Sequence, residues 1–189
     1  MDFENDIQNC LGVLKNGGMI LYPTDTIWGI GCDATDSKAV EKIVQLKKRP
    51  DEKAMIVLVA EQRDILKFAA NADLRVFDYL QQNPKPVTVV YEGAIGLAEN
   101  LVGKDGSIGM RICHDNFCKH LIKRFRKPIV STSANISGQP APKFFSEISD
   151  EIKDAVDYVV NYRQDDKTIA TPSSVIKWNK DATVTILRS

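Results

Sequence analysis

The sequence predicts an α/β domain built on a twisted, open, mixed β-sheet flanked by helices. Three observations carry this prediction. Short apolar runs alternate along the chain with segments of helical period. The 189 residues form one domain, 1–189, with no internal repeat, low-complexity tract or Ser/Gly linker to mark a boundary. Finally, Trp178-Asn179-Lys180-Asp181 between the last two apolar runs marks an antiparallel hairpin, whereas helices separate the strands in the middle of the chain.

Ile7, Cys10, Leu11 and Leu14 recur at helical spacing and stop at Asn16-Gly17-Gly18, a C-terminal signal. Met19-Ile20-Leu21-Tyr22 then reads as a buried strand ended by Pro23, and residues 27–33 as a second, glycine-rich extended piece. Ser37 is placed to cap the next helix, whose Val40, Ile43, Val44 and Lys47 share one face and which Arg49-Pro50 ends. Residues 55–59, 87–91, 107–112, 129–133, 158–161, 174–178 and 183–187 read as further strands. The helical patterns between them are 64–70, 74–82, 115–126 and 144–155, with Phe117, Leu121 and Phe125 on one face. A chain of this size buries about 70% of its unfolded surface, so a 43% hydrophobic content suffices for a core without disulfides.

Twenty-five basic and 25 acidic side chains cancel, which removes any general electrostatic attraction to nucleic acid or anionic membrane. Anions must therefore be held by local clusters. No apolar run approaches the ~20 residues of a membrane span, and Met1-Asp2-Phe3-Glu4 lacks the basic start of a signal peptide. A cytoplasmic protein without membrane partners is expected. The four cysteines form no C-x-x-C pair, and Cys113, His114, Cys118 and His120 match no zinc spacing, so buried thiols and no metal site are expected.

Three loops are chemically unusual. In Tyr22-Pro23-Thr24-Asp25-Thr26-Ile27-Trp28-Gly29-Ile30-Gly31, two hydroxyls and a carboxylate follow a buried strand, although Pro-Thr-Asp also reads as an ordinary turn. In Lys47-Lys48-Arg49-Pro50-Asp51-Glu52-Lys53, cations end a helix, where they complement the macrodipole. The break at the proline also lets Lys47 and Arg49 converge on one polyphosphate. In Ile129-Val130-Ser131-Thr132-Ser133-Ala134-Asn135-Ile136-Ser137-Gly138-Gln139-Pro140, an apolar strand ends in polar side chains and backbone amides suited to a nucleotide, or in a plain Ser/Asn-rich turn. Ser107, Gly109 and Arg111 share one side of a strand, and an arginine there is costly to bury without an anionic partner.

Standard nucleotide motifs are missing. Gly103-Lys104 is followed by Asp105 instead of the hydroxyl of a phosphate-binding loop, and Gly29-x-Gly31-x-x-Ala34 is a weak dinucleotide fingerprint because its glycines lie inside the extended run. With only two histidines, no Ser-His-Asp triad is readable. Lys119, Lys123, Arg124, Arg126 and Lys127 cluster on one helix, which reads as a solvated face or as a docking patch for an RNA backbone.

Lys47-x-Arg49 and Ser133-x-Asn135, with Tyr-Pro-Thr-Asp-Thr at 22–26 and Ser-Thr-Ser-Ala-Asn-x-Ser-Gly at 131–138, resemble the signature of the YrdC-like threonylcarbamoyl-adenylate synthases, over about residues 17–188. The resemblance implies the YrdC-like fold in its short, single-domain bacterial form. It also implies a nucleotidyltransferase that condenses L-threonine, bicarbonate and ATP into L-threonylcarbamoyl-adenylate and pyrophosphate. The product feeds the N6-threonylcarbamoyl modification of adenosine 37 in tRNAs reading ANN codons, so downstream tRNA threonylcarbamoyltransferase proteins are implied partners.

Carried over by motif, Thr26, Arg111, Ser131 and Ser173 are the threonine positions, and Lys47, Arg49, Lys53, Ser107, Ser133, Asn135 and Arg188 the ATP positions. The family often has Asn where Lys53 stands and His where Leu58 stands. No residue is assigned as nucleophile or base, and Mg²⁺ is expected with ATP, ligated mostly by phosphate and water. The alternative is a non-catalytic module binding double-stranded RNA or tRNA through the basic helix. A hydrogenase-maturation carbamoyl-transfer module is disfavoured by the small size and the lack of zinc-finger cysteine pairs.

Overall fold

The computed structural model describes residues 3–48, 55–179 and 181–189. In chain order its elements are α1 (Glu4–Lys15), β1 (Ile20–Tyr22), β2 (Gly29–Gly31), α2 (Ser37–Leu46), β3 (Ile56–Val59), α3 (Gln62–Phe68), α4 (Arg75–Gln82), β4 (Val87–Tyr91), β5 (Ile108–Ile112), α5 (Asn116–Phe125), β6 (Ile129–Ser133), α6 (Asp150–Ala155), β7 (Tyr158–Val159), β8 (Ser174–Trp178) and β9 (Val184–Arg188). The strands join in one sheet ordered β7-β1-β2-β6-β3-β5-β4-β8-β9. Pairs β1/β7, β3/β5 and β4/β8 are parallel and the others antiparallel. This is the mixed sheet expected from the sequence, closed at one edge by the expected β8/β9 hairpin.

Two local expectations are corrected. Asp36, not Ser37, caps α2: its carboxylate accepts from the backbone N–H of Lys38 at 2.9 Å and of Ala39 at 3.3 Å, which leaves Ser37 as the first helical residue. An aspartate so placed also meets the positive end of the helix dipole. The single helix expected over 144–155 is a 3₁₀ turn, Phe145–Glu147, followed by α6, because Ile148 and Ser149 are extended (ψ 127° and 149°). The helix stop expected at Arg49-Pro50 lies outside the described residues; α2 already ends at Leu46, with Lys48 left-handed at φ 49°.

Central strands supply Ile20, Leu21, Ile30, Val57, Leu58, Ile129 and Val130 to the core, and helices cover them with Ile7, Leu14, Val40, Ile43, Phe117 and Leu121. Phe3 wedges between Phe117 and Tyr162, with ring centroids 5.6 and 5.0 Å away, favourable aromatic distances. Asp6 ties α1 to the end of β7. Its buried carboxylate accepts from Tyr158 Oη (2.6 Å), Asn161 N (3.0 Å), Asn161 Nδ2 (3.1 Å) and Tyr162 N (2.9 Å).

Gly31 is set by close packing and not by a nucleotide. A Cβ there would lie 2.6 Å from Tyr22 Cε1 and 2.6 Å from the Val130 carbonyl oxygen, so the Tyr22 ring can cross β2 and donate from its hydroxyl to that carbonyl at 3.1 Å. At Gly29 a Cβ would meet Ser131 Oγ at 3.1 Å. Gly31 of the weak dinucleotide fingerprint is thus a packing position, whereas Gly29 lines the cleft described below.

Gly31→Ala is expected to destabilise the fold by roughly 1 to 3 kcal/mol, the scale of overpacking, and more than Gly29→Ala, where the nearest atoms, Ser131 Oγ and the Thr132 carbonyl oxygen, would lie at 3.1 and 3.3 Å; urea unfolding of both variants tests this.

Burial by itself raises the Asp6 pKa, but the hydrogen bonds from Tyr158, Asn161 and Tyr162 outweigh it and hold the carboxyl below its ordinary value of 3.8. Since the folded value is the depressed one, the contribution is fully present above pH 3.8 and lost as pH falls through the folded pKa. Asp6→Asn is expected to cost about 1 to 3 kcal/mol at pH 7 and to flatten the loss of stability below pH 4 (about the unfolded carboxylate pKa), measured by denaturant unfolding across pH.

Candidate active site

The strand register gathers polar side chains at one opening of the sheet. Ser131 and Ser133 alternate onto one face of β6, where Ser133 stands opposite Gly29 and Ser131 opposite Ile56. A cleft of about 220 Å³ opens there, and its walls include Thr26, Trp28, Arg111, Ser131, Ser133, Ser173 and Arg188. A larger cavity, about 430 Å³ between α3, α4 and α5, contains none of the predicted substrate or ATP residues. The smaller cleft is the better candidate because its donors and acceptors are held by the fold.

Arg111 is 2% exposed. Its Nη2 donates to Thr26 Oγ1 at 3.2 Å and lies 3.0 Å from Asp25 Oδ1. That ion pair is not aligned as a hydrogen bond, since Asp25 Oδ1 and Arg111 Nε have no hydrogen-bond partner. The second Asp25 oxygen accepts from the backbone N–H of His114 at 3.0 Å. The anionic partner that a buried arginine requires is therefore supplied by the protein itself.

Proton bookkeeping determines what Thr26 offers a ligand. Thr24 Oγ1 donates its single hydrogen to the Ile27 carbonyl at 2.9 Å and accepts from Thr26 N at 3.0 Å. The 2.9 Å contact between the two hydroxyls therefore has Thr26 as donor. Thr26 also accepts from Arg111, which leaves one lone pair. Towards the cleft Thr26 is an acceptor, matched to a ligand hydroxyl or amine.

At the cleft's far side, Arg188 Nη2 donates to the Ser173 carbonyl at 2.9 Å, and the Ser173 and Thr88 hydroxyls are 2.8 Å apart. Trp28 forms an apolar wall, packed on Phe145 at a centroid distance of 4.8 Å. Lys47, at the end of α2, is 2% exposed. Its Nζ donates to the carbonyls of Ser133 (2.5 Å) and Asn135 (2.7 Å), and Asn135 Nδ2 donates to the Gln139 carbonyl at 2.6 Å. These two residues shape the loop after β6 from beneath.

Six of the predicted residues, Thr26, Arg111, Ser131, Ser133, Ser173 and Arg188, line the one cleft, while Lys47 and Asn135 brace its rim. Ser107 is not among the lining residues, and its hydroxyl donates to Asp105 at 2.6 Å. Arg49 and Lys53 lie outside the described residues. Leu58 is fully buried and registers with Arg111. Sequence reasoning did not single out Asp25 or Trp28 as site residues, although both stand within the polar loop over residues 22–31.

The basic helix face is largely compensated. Lys123 pairs with Glu61, Arg124 with Glu4 at 2.5 Å and Lys127 with Asp33 at 2.6 Å. Arg126 closes α5 in the left-handed region at φ 61°. All four cysteines are buried, and burial pushes the Cys118 thiol well up while its Sγ donates to the Pro23 carbonyl at 3.2 Å. Among the described residues no helix is long and apolar enough to cross a membrane.

A threonylcarbamoyl-AMP synthase from Pseudoalteromonas translucida is 31% identical over 164 residues, 85% of this chain and 88% of that protein. One from Photobacterium profundum is 34% identical over 151 residues, 78% and 82% of the two chains. Among solved structures, P. abyssi Sua5 complexed with L-threonine superposes with a TM-score of 0.85 at 23% identity, covering 98% of this chain and 54% of that one. E. coli YciO superposes at 0.83 and 22%, covering 98% and 89%. At these identities the superpositions establish the fold. The family model Sua5_yciO_yrdC, described as "Telomere recombination", matches residues 12–189, and the chain belongs to the Sua5/YciO/YrdC family.

Proposed function

We propose that the protein is an enzyme that makes L-threonylcarbamoyl-AMP from L-threonine, bicarbonate and ATP, releasing pyrophosphate, for the N6-threonylcarbamoyl modification of adenosine 37 in tRNAs reading ANN codons. The observation that carries this reading is the buried Arg111 beside the free lone pair of Thr26. The guanidinium suits a carboxylate and the lone pair suits a hydroxyl or amine, which together describe a hydroxylated amino acid. Ser131, Ser133, Ser173 and Arg188 share the cleft, so the amino-acid end and a phosphate-binding end are contiguous.

The threonine amine attacks bicarbonate, forming the N–C bond of a carbamate with loss of water. A carbamate oxygen then attacks the α-phosphorus of ATP, and the bond to the bridging oxygen breaks as pyrophosphate departs with its electron pair. Charge gathers on phosphate oxygens and not on a protein nucleophile, so catalysis rests on positioning and fixed electrostatics. Arg111, Thr26, Ser131 and Ser173 orient threonine. Ser133 and Arg188, with Arg49, Lys53 and Ser107 carried from the family motif, hold the nucleotide, and Lys47 and Asn135 keep the Ser133 loop in place. Mg²⁺ enters with ATP as part of the substrate. The adenylate passes to downstream tRNA threonylcarbamoyltransferase proteins in the cytoplasm. A non-catalytic RNA-binding role is the weaker reading, because Lys123, Arg124 and Lys127 are already paired with carboxylates.

Valine is expected to be a very poor substrate, because it leaves the polar groups that read the hydroxyl unpaired, while serine, which loses only a methyl worth ~1 to 3 kcal/mol, is impaired more mildly. Chromatography of the adenylate product at saturating ATP and bicarbonate ranks the three amino acids, and equal use of valine and serine overturns the site assignment.

Arg49→Ala is expected to leave the fold intact and to cost about 2 to 4 kcal/mol in transition-state stabilisation, the scale of a preorganised electrostatic donor. A pyrophosphate-release assay reads this directly, and near-unaltered activity refutes the proposed phosphate contact.

A further inference from the structure

We propose that Asp25 is a positioning residue for threonine binding: it acts through Arg111 and does not touch the substrate. The inference rests on the reading of the cleft as a threonine site. Arg111 lines the cleft and Asp25 does not. The two side chains are nevertheless in contact at 3.0 Å, with side-chain exposures of 3% and 9%. A guanidinium on a long side chain has many rotamers, and its value to a ligand depends on how few of them survive. Asp25 removes that freedom because it is itself tethered. Its second oxygen takes the N–H of His114 at 3.0 Å, three residues beyond Arg111 at the exit of β5. The carboxylate thus joins the loop bearing Thr26 to the strand bearing Arg111, and the same guanidinium nitrogen that faces Asp25 donates to Thr26.

The two loops have other clasps, so removing this one is not expected to unfold them. Arg163 Nη1 donates to the Thr24 carbonyl at 3.3 Å and to Asp115 at 3.0 Å. Cys118 Sγ binds the Pro23 carbonyl from α5. What those clasps cannot do is hold the charge of Arg111. With Asp25→Asn the loop stays in place while the guanidinium loses the one described carboxylate opposite it, so it turns away from the position that a substrate carboxylate needs.

The test is calorimetric titration of the folded chain with L-threonine alone and, separately, with MgATP. Asp25→Asn is expected to weaken threonine binding ~10- to 100-fold, by analogy with the loss seen when a residue that orients a metal ligand is removed, and to leave MgATP binding within about twofold. In an Arg111→Ala background the same Asp25→Asn change is expected to have no further effect on threonine, because the residue it acts through is gone. A threonine affinity in Asp25→Asn that is unchanged or tighter overturns the inference, as does equal weakening of MgATP or an additive loss in the double variant. Failure of the unaltered chain to bind threonine overturns the functional reading and the inference with it. If Asp25→Asn does not fold, Asp25→Glu, which keeps the charge but displaces it, is titrated in its place under the same criteria.

Discussion

Burying Arg111 is the constraint around which the cleft is built. A guanidinium at 2% exposure on an interior strand forfeits hydration that nothing apolar replaces, so the chain brings a carboxylate to it from the loop after β1 and anchors that carboxylate on His114 N–H. The remaining geometry follows. The loop that delivers Asp25 also delivers Thr26 to the same guanidinium, and the hydroxyls of Thr24 and Thr26 use every hydrogen and lone pair they have except one on Thr26.

The packing that allows this is equally specific. Tyr22 crosses β2 only because Gly31 has no Cβ, and its hydroxyl stitches the sheet to Val130 one residue before Ser131. Lys47 works on the opposite rim, where its buried ammonium gathers the carbonyls of Ser133 and Asn135. A cation here organises a loop of neutral groups. Much of the other positive charge is spent on local pairs, as at Lys123, Arg124 and Lys127.

A cleft of this kind suits a reaction that needs no protein nucleophile. Attack of a carbamate on a phosphate is limited by bringing anions together and by stabilising the departing charge, both of which are supplied by donors fixed before the substrates arrive. The buried lining of Arg111, Thr26, Ser131 and Ser173 suits the positioning part of that requirement.

The sequence by itself determined the mixed sheet, the closing hairpin and the order of the elements, because these depend on period-2 and helical patterning, and the motif resemblance named six of the residues that line the cleft. Local boundaries were less legible: Asp36 outcompeted Ser37 as a cap, and the 144–155 helix broke at Ile148-Ser149, where the extended backbone admits no continuous hydrogen-bond ladder. Gly31 of the weak glycine fingerprint could not be told from a packing position until Tyr22 was seen lying across it. Only the tertiary structure decided that Arg111 answers to Asp25, that Lys47 faces carbonyls, and that Ser107 turns to Asp105, since each depends on which side chain or carbonyl the folded chain brings within about 3 Å, an arrangement that no pattern along the chain encodes.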